Sequence, residues 1–213
     1  MNRTLFLVVM IACLVAPAFA QSQDVPKYEV AAEFTTFERD DITGRRTEPG
    51  IGGRFTYNLN RVFALEAAGY FFPRRCFQCR NGGRITEGFG GVKAGKRFES
   101  WGIFAKARPG VISFSEGTFN VVDNPAAPAF PISFELSRLT TVATDTGSVV
   151  EFYPSKRLVT RFDAGVTTLY LRRRTANTVI LNPITNEISL VPITIRARIT
   201  FHFQFMASVG FRF

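Results

Sequence analysis

The sequence contains very little of the side-chain chemistry on which metalloproteins and most enzymes depend. Its 213 residues include one histidine, one tryptophan and three cysteines. A structural zinc site usually needs two pairs of Cys or His ligands, but here Cys76 and Cys79 are the only close pair and His202 lies far along the chain. We therefore predict neither a metal centre nor a cofactor.

Long apolar runs are also missing, except close to the N-terminus. Residues 5–15 are apolar, follow a short basic head that contains Arg3, and precede Ala18-Phe19-Ala20, a small-x-small cleavage site. This pattern predicts a secretory signal peptide over residues 1–20 and a single mature domain over residues 21–213. The alternative is a lipoprotein-type cleavage box that ends at Cys13. No run is long enough to cross a bilayer as a helix.

The sequence is short of acidic residues, with 17 Asp and Glu against 26 Lys and Arg and a formal net charge of +9. A basic surface favours anionic partners, and nucleic acid or lipid phosphate would serve equally well. Export through a signal peptide argues against nucleic acid, so lipid phosphate is the expected partner.

What the sequence does contain is an alternation of apolar and polar residues with a period of two. It is clearest over residues 198–213. One face of this strand carries Phe201, Phe203, Phe205, Ala207, Val209, Phe211 and Phe213, and the other carries Thr200, His202, Gln204, Ser208, Gly210 and Arg212. Such a strand suits the wall of a transmembrane barrel, because its outward side chains meet lipid and its inward ones meet a polar lumen.

Seven further stretches alternate in the same way and are separated by turns or loops. They cover residues 28–38, 51–58, 63–71, 86–97, 103–111, 134–152 and 158–170. Pro109 interrupts the fifth of them, which predicts a bulge there or the end of its membrane part. Eight strands joined in sequence order predict an all-β fold, an eight-stranded antiparallel up-and-down transmembrane β-barrel.

An even number of strands places both chain termini on the same side, which in a bacterial outer membrane is the periplasmic side. The tight turns near Asn60, Ser100 and Ser155 then face the periplasm. The four longer connections, which include residues 39–46 and 115–131, face outwards. Aromatic residues cluster near the periplasmic rim, as an aromatic girdle requires, and they are Tyr57, Phe63, Phe98, Trp101, Tyr153, Phe211 and Phe213.

The chain from residue 28 to residue 213 resembles the small eight-stranded outer-membrane β-barrel proteins of bacteria. The resemblance depends on the terminal Phe213, on the segment Gly52–Arg61 and on the regular rhythm of the hairpins. It implies a monomer in the cell outer membrane whose last strand is recognised by the barrel-assembly machinery. The residues expected to form this assembly signal are Phe205, Val209, Phe211 and Phe213.

The polar faces of the predicted strands place charges of both signs inside the barrel. The expected network comprises Glu33, Arg54, Glu66, Lys93, Lys106, Arg108, Glu151, Arg161 and Asp163, with Asp145 and Arg212 on the same faces. An eight-stranded barrel encloses a lumen that side chains just fill, so opposite charges there should pair. The network predicts a polar plug, and a narrow path for solutes or ions is the alternative.

His202 is the one side chain that could act as a base near neutral pH, and alternation turns it towards the lumen. We interpret it as a buried polar spacer. The alternative is a role like that of the histidine in outer-membrane lipid deacylases, but no serine follows at the required spacing.

Cys76 and Cys79 are predicted to form an extracellular disulfide, because the periplasm is oxidising. Half of a zinc site and a free or redox-active pair are the alternatives.

Arginines crowd the outward connections, namely Arg39, Arg45, Arg46, Arg74, Arg75, Arg80, Arg84, Arg172, Arg173 and Arg174. Guanidinium groups suit the phosphates of lipopolysaccharide, for which the expected binding residues are Arg45, Arg46, Arg74, Arg75, Arg172, Arg173 and Arg174. Solvated surface charge is the alternative.

The pattern of residues 178–191 predicts two short strands around a turn. They would form a projecting hairpin whose edge could pair with a surface partner.

These features predict a non-enzymatic outer-membrane barrel with a structural or surface-interaction role, such as adhesion. A narrow pore for small solutes is the second hypothesis and a lipid-modifying enzyme is the third, because this architecture carries all of these functions.

Overall fold

The computed structural model describes residues 25–41, 44–75, 83–121, 132–136, 138–181 and 188–213. The predicted signal peptide, Cys13, the predicted Cys76–Cys79 disulfide and Arg80 lie outside these ranges, so they remain predictions. Among the described residues, no helix is long and apolar enough to span a lipid bilayer.

Twelve β-strands account for most of the described residues. They are β1 (Tyr28–Asp41), β2 (Gly44–Asn58), β3 (Phe63–Phe72), β4 (Ile85–Arg97), β5 (Trp101–Phe114), β6 (Gly117–Val121), β7 (Ile132–Leu136), β8 (Leu139–Phe152), β9 (Leu158–Leu171), β10 (Arg174–Leu181), β11 (Ile188–Ile195) and β12 (Arg198–Arg212). The eight longest close into one antiparallel barrel in the order β1-β12-β9-β8-β5-β4-β3-β2. This confirms the predicted eight-stranded up-and-down barrel.

The four shorter strands form two hairpins, β6–β7 and β10–β11, each of which is a separate two-stranded sheet. The β10–β11 hairpin contains the short strands predicted within residues 178–191, and its register runs from Arg174 opposite Ile195 to Leu181 opposite Ile188. Residues 172–173 and 196–197 belong to no strand. The hairpin is therefore separated from the barrel ladder, in which Arg198 pairs with Leu171.

Two predicted boundaries were wrong. The pairing of β1 with β2 continues to Asp41 opposite Gly44, so residues 39–41 and 44–46 of the predicted loop belong to the barrel sheet. The sixth barrel strand starts at Leu139, whereas Phe134 pairs with Phe119 in the β6–β7 hairpin. A sheet that extends beyond lipid can be polar on both faces, and the alternation that marks a strand inside the membrane is then lost.

Pro109 neither ends β5 nor creates a bulge. The strand continues to Phe114, and Pro109 stays in register with Thr144 of β8. On the other side, the pairing with β4 is interrupted between the pairs Phe89–Gly110 and Val92–Ala107. Both strands have the same number of residues across this gap, so the lack of a proline N–H disrupts the ladder locally without shifting its register.

The outward faces of the barrel strands form an apolar belt. On β12, the side chains of Phe201, Phe203, Phe205, Val209, Phe211 and Phe213 are between 50% and 67% exposed. The same holds for Phe34, Ile51 and Phe162 on other strands. Monomeric soluble proteins rarely expose apolar surface this continuously, whereas a barrel wall in lipid requires it.

Tight turns close one end of the barrel, here called the turn end. In the first turn, the Asn60 side chain accepts the backbone N–H groups of Val62 and Phe63 at 2.8 and 2.7 Å. The seam between β1 and β12 also ends here, where Tyr28 and Phe213 exchange backbone hydrogen bonds of 2.8 and 2.9 Å. The opposite end, at which the two hairpins leave the barrel strands, is the loop end.

Aromatic rings surround the turn end. The ring of Tyr28 lies 5.4 Å from that of Tyr57 and 5.9 Å from that of Phe213, measured between centroids. Phe98 stacks on Trp101 at 4.4 Å. Tyr153, which was expected in this girdle, is instead buried and faces the lumen, because its hydroxyl binds charged groups there.

Candidate functional site

Glu66 is the centre of a buried ion-pair network in the half of the lumen nearer the turn end. Its carboxylate lies 3.5 Å from Arg54, 3.6 Å from Lys93 and 3.5 Å from Arg108. It also accepts two hydrogen bonds from Arg161, one of them 3.2 Å long. All five side chains are at most 1% exposed, and charges buried in this way need such partners to offset the loss of hydration.

Strands β8 and β9 supply further acids to the network. Arg161 donates from Nη2 to Asp163 at 2.7 Å, and Asp163 lies 3.1 Å from Lys106. Lys93 donates to Glu151. Arg161, Lys106 and Lys93 are each bound by a carboxylate from another strand. These contacts cross the lumen.

Tyr70 joins this cluster to charges nearer the loop end. Its hydroxyl donates to Glu33 at 2.6 Å and accepts from Arg108 at 3.3 Å. Glu33 is also bound by Arg54 at 2.8 Å, and Arg108 donates from Nε to Asp145 at 2.9 Å. The nine residues of the predicted network are thus brought together in one continuous buried cluster, along with the inward Asp145.

The ends of the strands add charges that sequence analysis missed. Arg97 lies 3.6 Å from Glu29 and 3.7 Å from Glu151, and Arg212 lies 3.6 Å from Glu29. Tyr153 donates to Glu151 at 2.9 Å and accepts from Arg97 at 2.9 Å. Burial, together with the negative charge of Glu151, raises the pKa of Tyr153, so the hydroxyl remains a donor. Extending the inward alternation to the last residue of each strand would have found Glu29 and Arg97.

Near the loop end the interior contains a cluster of apolar side chains, which sequence analysis did not anticipate. Six side chains, here called the apolar cap, are at most 1% exposed: Phe37, Phe72, Ile85, Ile112, Phe114 and Leu169. The rings of Phe37 and Phe72 lie 5.8 Å apart. Phe72 fits because Gly50 has no side chain, since a Cβ there would lie 2.5 Å from the ring. All six continue the inward alternation beyond the polar stretch.

A layer of hydrogen bonds separates the apolar cap from the charges. Gln204 donates to Glu87 at 2.9 Å and to Thr35 at 3.2 Å, and it accepts from Thr167 at 2.5 Å. Glu87 was missed because the glycines of β4 obscure which of its faces is polar. Among the described residues, no three His, Cys, Asp or Glu side chains are arranged to hold a metal ion.

His202 lies beside the apolar cap and is buried, as its inward position predicted. Its ring stacks on Phe37 with centroids 4.9 Å apart. Nδ1 lies 2.7 Å from the backbone carbonyl of Glu38, which can only accept, so this nitrogen carries the proton. Nε2 then accepts from the Thr200 hydroxyl at 2.9 Å. These contacts order the loop end of β12 against β1.

The arginines near the loop end fall into two groups. Arg39, expected in a loop, is only 2% exposed and donates to the carbonyl of Gly83 at 3.1 Å, because β1 carries it inside the sheet. Arg45 is largely exposed and pairs with Glu38 at 3.3 Å. The exposed group, here called the arginine rim, comprises Arg45, Arg46, Arg74, Arg75, Arg84, Arg138, Arg172, Arg173, Arg196 and Arg198. Arg174 starts β10, and its side chain lies outside the described part of the chain.

No protein-family model matches the chain, and no curated protein matches it. Solved structures do. The crystal structure of Neisserial surface protein A superposes with a TM-score of 0.50 at 11% identity, covering 90% of this chain and 100% of that one. Ail of Yersinia pestis, in complex with the heparin analogue sucrose octasulfate, gives 0.48 at 10% identity, covering 87% and 97%. The outer membrane protein OprG of Pseudomonas aeruginosa gives 0.45 at 9% identity, covering 87% and 95%.

At these identities the likeness concerns the arrangement of the strands and not the chemistry of the side chains. The match to Neisserial surface protein A covers nearly the whole chain and includes all of that protein. Together with the closed ring of eight antiparallel strands, it shows that the chain has the fold of the small eight-stranded outer-membrane β-barrel proteins.

Proposed function

We propose that the protein is a non-enzymatic, monomeric barrel of the bacterial outer membrane that conducts no solutes and presents its loop end to partners outside the cell. The observation that carries this proposal is the filled lumen. Paired charges occupy the half near the turn end and the apolar cap occupies the half near the loop end, so the barrel acts as a sealed support for the hairpins.

The outward apolar belt and the aromatic rings at the turn end support the membrane location. The predicted N-terminal export signal and the even strand number support an orientation with the turn end and both chain termini in the periplasm. The outward residues Phe205, Val209, Phe211 and Phe213 on β12 are then available to the barrel-assembly machinery before the seam with β1 closes.

A planar-bilayer recording of the refolded mature protein tests whether the lumen is sealed. We expect no steady single-channel current at moderate voltage and salt, because buried paired charges and the apolar cap fill the described lumen. An open porin refolded by the same procedure serves as the positive control. A reproducible unitary current from the wild-type barrel would contradict the proposal and favour the narrow pore.

The β10–β11 hairpin supports a surface-interaction role. Its two strands pair only with each other among the described residues, so each has a free edge to which an extended segment of a partner could add. Replacing residues 177–190 by a short turn should leave barrel folding intact and abolish adhesion to partner cells. A matched deletion in the β6–β7 hairpin is the control, and unchanged adhesion after the first deletion would contradict this role.

The arginine rim supports binding to lipopolysaccharide. Ten exposed guanidinium groups surround the loop end, and each can form two parallel hydrogen bonds to a phosphate. Changing Arg74 and Arg75 to Gln should lower the amount of lipopolysaccharide that copurifies with the barrel. Changing Lys96, near the turn end, to Gln should not lower this amount. An equal loss of lipopolysaccharide in both variants would indicate that the arginine rim is solvated surface charge alone.

A further inference from the structure

A cleft of about 530 Å³ opens at the turn end, beside the seam between β1 and β12. The side chains that define it are Val25, Pro26, Lys156, Arg157, Phe211 and Phe213. It combines a pair of cations, Lys156 and Arg157, with apolar surface, and neither cation belongs to the lumen network or to the arginine rim.

Backbone hydrogen bonds fix both walls of this cleft. On one side, Tyr28 and Phe213 exchange bonds of 2.8 and 2.9 Å, which hold the segment that carries Val25 and Pro26. On the other side, Arg212 donates its N–H to the carbonyl of Arg157 at 2.8 Å, which holds the β8–β9 turn. The cleft is therefore formed before any ligand arrives, so binding would require little ordering of the protein.

Lys156 and Arg157 supply the free positive charge. Both side chains are exposed, and neither forms an ion pair with a carboxylate among the described residues. Arg212 also lines the cleft, but its guanidinium is held on the lumen side, 4.2 Å from the ring of Tyr153 and 3.6 Å from Glu29. Two cations on one short turn are thus left for an anionic group from outside.

The apolar part of the cleft is continuous with the outward belt. Phe211 and Phe213, at the end of β12, are 63% and 67% exposed and line the same cleft as the two cations. A ligand that satisfies both parts of the lining needs an anionic head and an apolar tail. It also needs to reside at the level where the belt meets water.

We propose that this cleft binds one anionic phospholipid from the leaflet at the turn end. The headgroup phosphate lies between Lys156 and Arg157, and the first part of an acyl chain lies along Phe211 and Phe213. This inference rests on the proposed location of the barrel in a membrane. It assigns the β8–β9 turn a role in lipid selection that is independent of the loop end.

Native mass spectrometry of the refolded barrel in detergent, titrated with phosphatidylglycerol in competition with phosphatidylcholine, tests the proposal. We expect one tightly retained phosphatidylglycerol per barrel. The double variant Lys156→Gln, Arg157→Gln should bind it roughly twenty-fivefold more weakly, at about fivefold for each lost charge. The exchange variant Lys156→Arg, Arg157→Lys should bind it as the wild type does.

Lys96→Gln is the matched control, because it removes one exposed cation near the same end but outside the cleft. Equal retention of the two lipids, an undiminished adduct in the double variant, or an equal loss in the control would each overturn the proposal. Displacement of the adduct by soluble glycerol phosphate at similar concentration would also overturn it, since the apolar wall would then contribute nothing.

The membrane location is tested separately in the same samples. Refolding into phosphatidylcholine vesicles, followed as a heat-dependent shift in gel mobility, should succeed for the wild type and for all three variants. Failure of the wild type to insert would contradict the proposed function, whereas insertion without lipid preference would contradict only the lipid site.

Discussion

The two halves of the lumen are both filled by side chains, but through different interactions. Near the turn end, Glu66 is surrounded by four bases from four other strands, and every charge needs partners at fixed distances. Near the loop end, the rings and aliphatic chains of the apolar cap fill space without directional bonds. The ionic half should therefore be the less tolerant of substitution, because a single deletion removes a partner from several buried charges at once.

The largest effect is expected for Glu66→Ala. It removes the shared partner of Arg54, Lys93, Arg108 and Arg161, and breaking a buried pair typically costs about 3 to 5 kcal/mol. Urea unfolding in lipid vesicles, followed through the fluorescence of the single tryptophan, measures the loss. Removal of the exposed Glu99 carboxylate is the control and should change little. A loss below about 1 kcal/mol in Glu66→Ala would show that water hydrates the network.

Phe72→Ala tests the apolar cap. Truncating a buried Phe typically costs about 3 to 5 kcal/mol because it leaves a cavity, and we expect a loss of about 3 kcal/mol here. Phe71→Ala is a closely matched control, since the adjacent ring faces outwards and is 39% exposed. Equal unfolding free energies for the two variants would mean that the cap contributes no more than lipid contact.

Tyr70→Phe tests a neutral hydroxyl within the charge network. The change keeps the ring and removes the hydroxyl that links Glu33 to Arg108, and hydrogen bonds to charged groups contribute about 1.5 to 3 kcal/mol. We expect a loss of about 2 kcal/mol in the same urea assay. Tyr28→Phe, in the exposed girdle, is the control. If the two losses are equal, the Tyr70 hydroxyl adds no stability to the charge network.

The smallest effect is expected for Arg45→Gln. This residue forms an ion pair outside the lumen, with side chains 59% and 28% exposed, and such pairs contribute about 0 to 1 kcal/mol. The free energy of unfolding should therefore change by no more than about 1 kcal/mol, at low salt and at high salt alike. The same substitution at Arg161, inside the network, should cost several times more, since it leaves Glu66 and Asp163 without their shared base.

Much of the barrel follows from the sequence because lipid imposes a strict period of two. The alternation in residues 198–213 predicted which side chains of β12 face outwards. The alternation within the glycine-rich β4 predicted the inward position of Lys93. The same rule, applied only to polar residues, missed the apolar cap. Phe71 and Phe72 are adjacent and both apolar, although one faces outwards and the other inwards. The sequence there shows no alternation of apolar and polar residues from which the inward side chain could be identified.

The remaining errors arose where lipid no longer constrains the chain. Residues 39–41 and 44–46 are mostly charged on both faces, so the sequence indicates a loop there although these residues continue the sheet. Tyr153 was assigned to the girdle from its position after β8, but a buried carboxylate at Glu151 holds it inside. Such choices depend on contacts between distant strands, which a local pattern does not contain.

The closing seam has a consequence for the order of folding. Glu29 pairs with Arg212 and Phe37 with Gln204, so the ring is completed by residues from opposite ends of the described chain. Closing so long a loop has a high entropic cost, and contacts of this range slow folding. Until β12 is in place, the free edge of β1 and the unpaired charges of the lumen remain open to solvent and to other chains. The protein should therefore depend on chaperones from export until its last strand has paired.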